Sequence, residues 1–251
     1  MQKIQIDSMY DIIKSPIPIG SGFCAHCYRC KDGNVFKKFK NNEEGQKIVN
    51  RKDLEVLMEA LCKSSNESIV GPKTLVYQDK KFVGYIYEYI NGIEVASVSR
   101  FTRIDTLFKN IGILFDDIKS LTENRVDLYD IHGKNILVDG SFHVIDMDKS
   151  NMAKEKDTPE DLEKFNKQEL LKTIVNVIYR FKPWNEGVYT GVDIHEFLYR
   201  KDINADTLRE LKEEFERVCR KKNPMLYEIR RKTLHEKRIN SYSSYVRNME
   251  E

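Results

Sequence analysis

The periodicity of apolar residues changes near residue 92, and that change limits the folds open to the chain. Before it, short runs rich in β-branched and aromatic residues predict strands at Ile17–Ile19, Cys24–Cys30, Val35–Phe39, Thr74–Gln78 and Phe82–Ile90. Lys31-Asp32-Gly33-Asn34 reads as a tight hairpin turn between the second and third. One helix interrupts them, from Gly45 to Leu61, where Ile48, Leu54, Leu57, Ala60 and Leu61 recur at helical spacing. Beyond residue 92 helices dominate. Ile104, Leu107, Phe108, Ile111, Leu114, Phe115, Ile118 and Leu121 form one apolar stripe, and Leu170, Ile174, Val177, Ile178 and Phe181 form a second. A third helix opens on a Thr207…Glu210 capping box and carries Leu208, Leu211, Phe215 and Val218. Two short strands, Ile136–Val138 and His143–Ile145, turn at Asp139-Gly140 between the first two stripes. Strands with one helix, then helices with one small hairpin, predict an α+β chain of two lobes.

The 251 residues suffice for a full core without staples. With 42 Lys and Arg against 40 Asp and Glu the net charge is +2, which argues against a generally basic nucleic-acid surface. No apolar run reaches the length of a membrane span and the first residues lack an apolar leader core, so a cytoplasmic protein is expected. Five cysteines, an odd number, fit reduced thiols. Cys24, Cys27 and Cys30 are spaced C-x-x-C-x-x-C, and His26 or Cys62 could complete a zinc site. The strand reading opposes this, because alternation sends Cys24 and Cys30 to one side and Cys27 to the other. The stretch 220–238 holds eight Lys and Arg against Glu228 and Glu236, and a solvated helical face accounts for it better than a nucleic-acid patch.

Two constellations carry chemistry. In Ile19-Gly20-Ser21-Gly22-Phe23-Cys24-Ala25, a glycine turn stands between strands, and the hairpin returns to Val35-Phe36-Lys37. Glycines let backbone N–H groups approach phosphate oxygens, and a lysine on the next strand supplies a positive point charge. Val35 shares the face of Lys37, so an apolar side chain could meet a base while the lysine meets its phosphates. Taken alone, an ordinary glycine-containing hairpin with exposed lysines explains this stretch better. The second constellation is Asp130-Ile131-His132-Gly133-Lys134-Asn135 followed by an apolar hairpin and Asp146-Met147-Asp148. That order suits phosphoryl transfer, in which Asp130 orients a hydroxyl proton while Asn135 and Asp146 hold Mg²⁺ through oxygen.

On these residues the sequence resembles the protein-kinase-like superfamily across roughly residues 15–220. The resemblance implies a β-rich N-lobe over 1–90 and a mainly helical C-lobe over 91–251, together one kinase-like domain. It implies ATP and Mg²⁺ as cofactors. Gly20, Ser21, Gly22, Ala25, Val35 and Lys37 would bind nucleotide, with Glu88 and Ile90 meeting adenine through their main chain. Asp130, Lys37 and Asn135 would be catalytic, and Asn135 and Asp146 would hold the metal. The family also pairs its strand lysine with an acid on the N-lobe helix, here Glu55 by chemistry, although Asp53 and Glu59 also qualify.

Departures from the family pattern shape the expected activity. Leu128-Tyr129-Asp130 lacks the arginine that answers an activation-loop phosphate, His132 makes the loop D-x-H-x-x-N, and Asp146-Met147-Asp148 replaces D-F-G. The last two are similar to aminoglycoside and choline phosphotransferases and to small bacterial kinase-like proteins. The expected function is ATP-dependent transfer to a hydroxyl, first of a protein Ser or Thr and alternatively of a small molecule. A nucleotide-binding module without turnover is a further alternative. Partners are then ATP and a hydroxyl acceptor, with neither nucleic acid nor membrane.

Overall fold

A computed structural model describes residues 1–180, 191–200 and 202–232. Strands β1 (Gln2–Ile6), β2 (Gly20–Ser21), β3 (Ala25–Arg29) and β4 (Val35–Phe39) precede helices α1 (Glu43–Val49) and α2 (Leu54–Lys63). Then come β5 (Pro72–Gln78), β6 (Lys81–Tyr87), β7 (Ile93–Glu94), α3 (Ile104–Asp117) and α4 (Lys119–Glu123). β8 (Val126–Asp127), β9 (Ile136–Val138), β10 (Phe142–Val144), β11 (Asn151–Met152), α5 (Pro159–Tyr179), α6 (Ile194–Leu198) and α7 (Ala205–Cys219) complete the described elements. The chain is α+β, with a mixed sheet and several helices. Among the described residues no helix is long and apolar enough to cross a membrane.

The chain forms two compact units rather than dividing once at residue 90. The first joins Met1–Gly92 with Asp117–Asp130 and His143–Glu163, and the second takes Ile93–Asp116, Ile131–Phe142 and the remainder. In the first unit the sheet runs β1-β5-β6-β4-β3-β2, with β1 parallel to β5 and the other pairs antiparallel. Strand alternation gives it two different faces. One carries a cluster of Ile6, Ile13, Tyr28, Cys30, Phe36, Val76 and Ile86. The opposite side chains of β4 and β6 put Lys37 in register with Tyr85, and β3 adds Cys27 beside Lys37. The sequence reading missed β1, whose Gln2, Lys3 and Gln5 obscure the apolar alternation of Ile4 and Ile6.

Three expected elements change shape. The single helix from Gly45 to Leu61 is two helices. Asn50 caps the end of α1, and Arg51 turns its guanidinium onto Asp53 instead of continuing the turn. The stripe from Ile104 to Leu121 also breaks, because α3 ends at Asp117 and Ile118 caps α4. Helix α7 starts before Thr207: Asn204 is its N-cap, accepting from the N–H groups of Asp206 and Thr207, while the Thr207 hydroxyl reaches back to the Asn204 N–H. Asparagine is a strong N-cap, and threonine at the third helical position closes the box. Phe181 of the second stripe lies outside the described residues, as do Glu236, Lys237 and Arg238 of the basic stretch.

The second unit is built on the apolar faces the periodicity predicts. Ile104, Leu107, Ile111 and Leu114 of α3, Leu170, Ile174 and Ile178 of α5, and Leu208, Leu211 and Phe215 of α7 are all buried. Phe215 meets Phe108 edge-on and Tyr179 at a tilt, a ring arrangement that adds directional packing to burial. Part of the basic stretch is used internally: Lys221 pairs with Glu228, Lys222 with Glu216, and Arg230 donates to the Val177 and Ile178 carbonyls at the end of α5.

Gly84 allows β6 to lie against β4 where Lys37 sits. A Cβ at that position would stand 2.0 Å from the Lys37 carbonyl oxygen and 3.0 Å from the Phe36 ring, so backbone would have to move. Gly84→Ala should therefore lower unfolding free energy in urea by roughly 3–4 kcal/mol. A loss under about 1 kcal/mol would mean that the two strands separate freely at this point.

Candidate active site

Lys37 is nearly fully buried at 3% exposure, yet it carries a charge. Its place follows from register: five residues of β4 alternate, Phe36 is fixed in the apolar face, and Lys37 must project from the other. There its ammonium forms ion pairs with Asp146 and, at 2.7 Å, with Asp148. Burial by itself would push the Lys37 amine down, but the carboxylates of Asp148 and Asp146 outweigh it and hold the group above the ordinary lysine value. Burial likewise pulls Asp146 up, and the charge and hydrogen bond of Lys37 more than reverse this, leaving it below the usual carboxylate range. For Asp148 burial prevails. Lys37 pulls its carboxyl down and Asp146 pushes it up, and the balance stands at about 6.

The two acids reach the lysine because β10 is anchored to the first unit. Val144 donates its N–H to the Ser68 carbonyl and accepts from the Val70 N–H, forming a bridge with Ile69. Two residues later Asp146 takes a left-handed backbone, φ 61°. The chain then passes the turn between α1 and α2, where Arg51 donates to the carbonyls of Asp148 (3.1 Å) and Ser150 (2.9 Å). Asp53 holds the same guanidinium through both its oxygens.

Asp130 enters the same unit by a second pairing. β8 and β11 run antiparallel, with Val126 opposite Met152 and Asp127 opposite Asn151, so the two segments travel together. Lys149 then places its ammonium 2.6 Å from Asp130 Oδ2. That hydrogen bond, against a smaller opposing effect of burial, raises the Lys149 amine above its usual value. Asp130 is also left-handed, at φ 58°. Two non-glycine acids in this sparsely populated region, each facing a lysine, are an arrangement that the surrounding structure must maintain.

The remaining sequence-derived residues are placed as follows. Gly20 and Ser21 lie within β2, paired with Cys27 and His26, rather than in a turn after a strand at 17–19. The turn itself is Gly22–Cys24, closed by the Gly22 N–H on the Ala25 carbonyl and held by Lys40 and Asn42 on the Gly22 and Phe23 carbonyls. Val35 is buried and in register with Tyr87, whose hydroxyl meets Cys27 Sγ at 3.7 Å. Glu88 follows β6 and pairs with Lys73, and Ile90 is half-buried. Asn135 is buried in the second unit, its N–H on the His132 carbonyl, and His132 is exposed. The loop lies close against its surroundings there, since a Cβ on Gly133 would be 2.8 Å from Val177 and 3.1 Å from Ala96.

Glu55 requires correction as the partner of Lys37. Its carboxylate accepts from the Tyr77 hydroxyl (2.6 Å) and from Lys3 (3.0 Å), and its side chain is 56% exposed. Leu54, Leu57, Met58, Ala60 and Leu61 form the buried face of α2, and Glu55 lies on its exposed side. Asp53 is engaged by Arg51, and Glu59 is exposed. The residues the reading passed over are Asp148, Lys149 and Arg51. The spacing D-x-D-K was visible in the sequence, but nothing local distinguished the second acid from a surface charge.

The donor set fits a hard, oxygen-seeking cation associated with phosphates. Asp146 is an ionised carboxylate with 39% of its side chain exposed, and Mg²⁺ uses one or two protein carboxylates with substrate oxygens. A resident cage is a different matter: among the described residues no three His, Cys, Asp or Glu side chains gather to hold a metal. Cys30 belongs to the apolar cluster, whereas Cys27 stands beside Lys37, and burial raises both thiols, Cys30 to about 11. No known family model matches the chain, and no curated protein matches its sequence.

Lys37→Met should lower stability at neutral pH by about 3–5 kcal/mol, because two acids lose their buried counter-charge. The folded-state Asp148 carboxyl lies above its unfolded value, so the folded form binds that proton more tightly and stability rises as pH falls through about 6. Urea titrations should thus show the deficit against wild type shrinking on acidification, and a deficit constant with pH would contradict the charge assignment.

Proposed function

We propose that the chain is an ATP-dependent phosphotransferase that moves the γ-phosphoryl group to a hydroxyl. The observation that carries this reading is the convergence, within one compact unit, of a buried strand lysine, an ionised acid after the small hairpin, and a second acid sixteen residues earlier. Phosphoryl transfer needs positioning and charge neutralisation more than covalent chemistry from the protein, and these groups supply both. Lys37 offers its ammonium to the α- and β-phosphates. Asp130 accepts or orients the proton of the attacking hydroxyl. Asp146 supplies an oxygen to Mg²⁺. Bound with ATP, Mg²⁺ neutralises charge on the phosphate oxygens. Val35 is in register with Tyr87, whose hydroxyl meets Cys27 Sγ, and these side chains give an adenine ring a largely apolar surface.

A Ser or Thr hydroxyl of a protein is the first acceptor class. A specific observation favours a small hydroxylated molecule as the second. Asp146 and the start of α5 are only thirteen positions apart, and the intervening segment is tied down by Arg51 and by Arg125, which holds the carbonyls of Lys154 and Asp157. Such a segment offers little extended chain for a peptide to lie along.

The test is Mg²⁺-dependent transfer from γ-labelled ATP, offered a generic protein acceptor and a panel of hydroxylated metabolites. Asp130→Ala should lower turnover by about 10²–10⁴-fold with an unchanged melting temperature. Label on protein or on metabolite assigns the acceptor class. Full activity in the variant, or ATP binding without any turnover by wild type, would overturn the mechanism in favour of a binding module.

A further inference from the structure

We infer that Asp148 is the positioning residue of Lys37, doing here what a helix carboxylate would do, and that it thereby frees Asp146 for the metal. The inference rests on the phosphotransfer reading and adds a division of labour between two acids. Both carboxylates contact one ammonium, but their surroundings differ. Asp148 is 1% exposed, and its buried carboxyl faces the Lys37 ammonium and the neighbouring Asp146 carboxyl. Its main chain is fixed as well, by Arg51 on its carbonyl, with Asp53 fixing Arg51. Asp146 is 39% exposed and can exchange a lysine for another cation at the surface.

The charge count points the same way. A buried ammonium needs a permanent counter-charge, since breaking a buried pair leaves an uncompensated ion. If Asp146 turns to a metal, Asp148 is the carboxylate among the described residues that remains to hold Lys37. Helix α2 offers no substitute, because Glu55 is committed to Tyr77 and Lys3. Asp148 touches neither nucleotide nor acceptor in this scheme and acts wholly through the lysine.

Nuclear magnetic resonance of the full chain, labelled with ¹⁵N-lysine and ¹³C-aspartate, tests this without relying on turnover. The Lys37 ammonium, identified by its loss in Lys37→Arg, should exchange slowly with water and show couplings to the carboxyl carbons of Asp146 and Asp148. On adding Mg²⁺ with a non-hydrolysable ATP analogue, the Asp146 coupling should vanish and the Asp148 coupling persist. Asp148→Asn should release the protected ammonium, whereas Glu55→Gln should leave its signal unchanged. In turnover, Asp148→Asn should raise the half-saturating Mg²⁺ concentration about tenfold, since Lys37 then competes for Asp146, and Asp148→Glu should restore it in part. Loss of the Asp148 coupling with retention of the Asp146 coupling, or release of the ammonium by Glu55→Gln alone, would overturn the inference. An analogue that does not bind defeats the phosphotransfer reading instead, and the couplings of the free protein still decide the pairing. They do so also if Asp148→Asn fails to fold.

Discussion

A single ammonium buried between two carboxylates sets the terms for the first unit. Desolvating Lys37 is costly, and the attraction of Asp146 and Asp148 offsets that cost only while both segments are held in place. Much of the unit serves that end. β10 is anchored to residues 68–70, the β8–β11 pair holds the stretch on either side, and Arg51 secures the carbonyls of Asp148 and Ser150. The apolar cluster on the far face of the sheet fixes Phe36 and so decides which way Lys37 points. A charge cluster of this kind is weak evidence for stability but good evidence of a site, because a packed apolar group would fill the space more cheaply.

Backbone strain supports the same conclusion by another route. Asp130 and Asp146 both adopt left-handed conformations that an aspartate tolerates less readily than glycine. Each is followed within three residues or faced by a lysine contact, Lys149 for Asp130 and Lys37 for Asp146. The strain is held by short strands that depend on neighbours: β8 and β11 lie against α2, and Val144 of β10 bridges Ile69. Rigid elements thereby aim acids that loops alone would leave free to rotate.

The candidate site was only partly legible in the sequence. Lys37, Asp130 and Asp146 stand out because strand alternation and an acid-glycine-asparagine string leave marks at fixed spacing. Cys30 and Cys27 separate to opposite faces as alternation requires, although Cys24 precedes β3 and so escapes that pattern. Glu55 has the chemistry of a lysine partner, but it lies on the exposed side of α2 and engages Tyr77 and Lys3. Between the two helices Arg51 donates to carbonyls nearly a hundred residues away, which no local window contains.

The elements and their faces follow locally from the chain: apolar residues at period two or near 3.6 dictate which side of a strand or helix is buried. The strands of the hairpin β3–β4, the buried stripes of α3, α5 and α7, and the separation of Phe36 from Lys37 all follow from this periodicity. Tertiary structure alone decided the partners. Which acid meets Lys37, and that Lys149 rather than a nearer residue answers Asp130, depends on charges brought together across 109 and 19 positions. A charged side chain is tolerated almost anywhere in water, so its sequence position says little about its neighbour until the surrounding chain has removed the solvent.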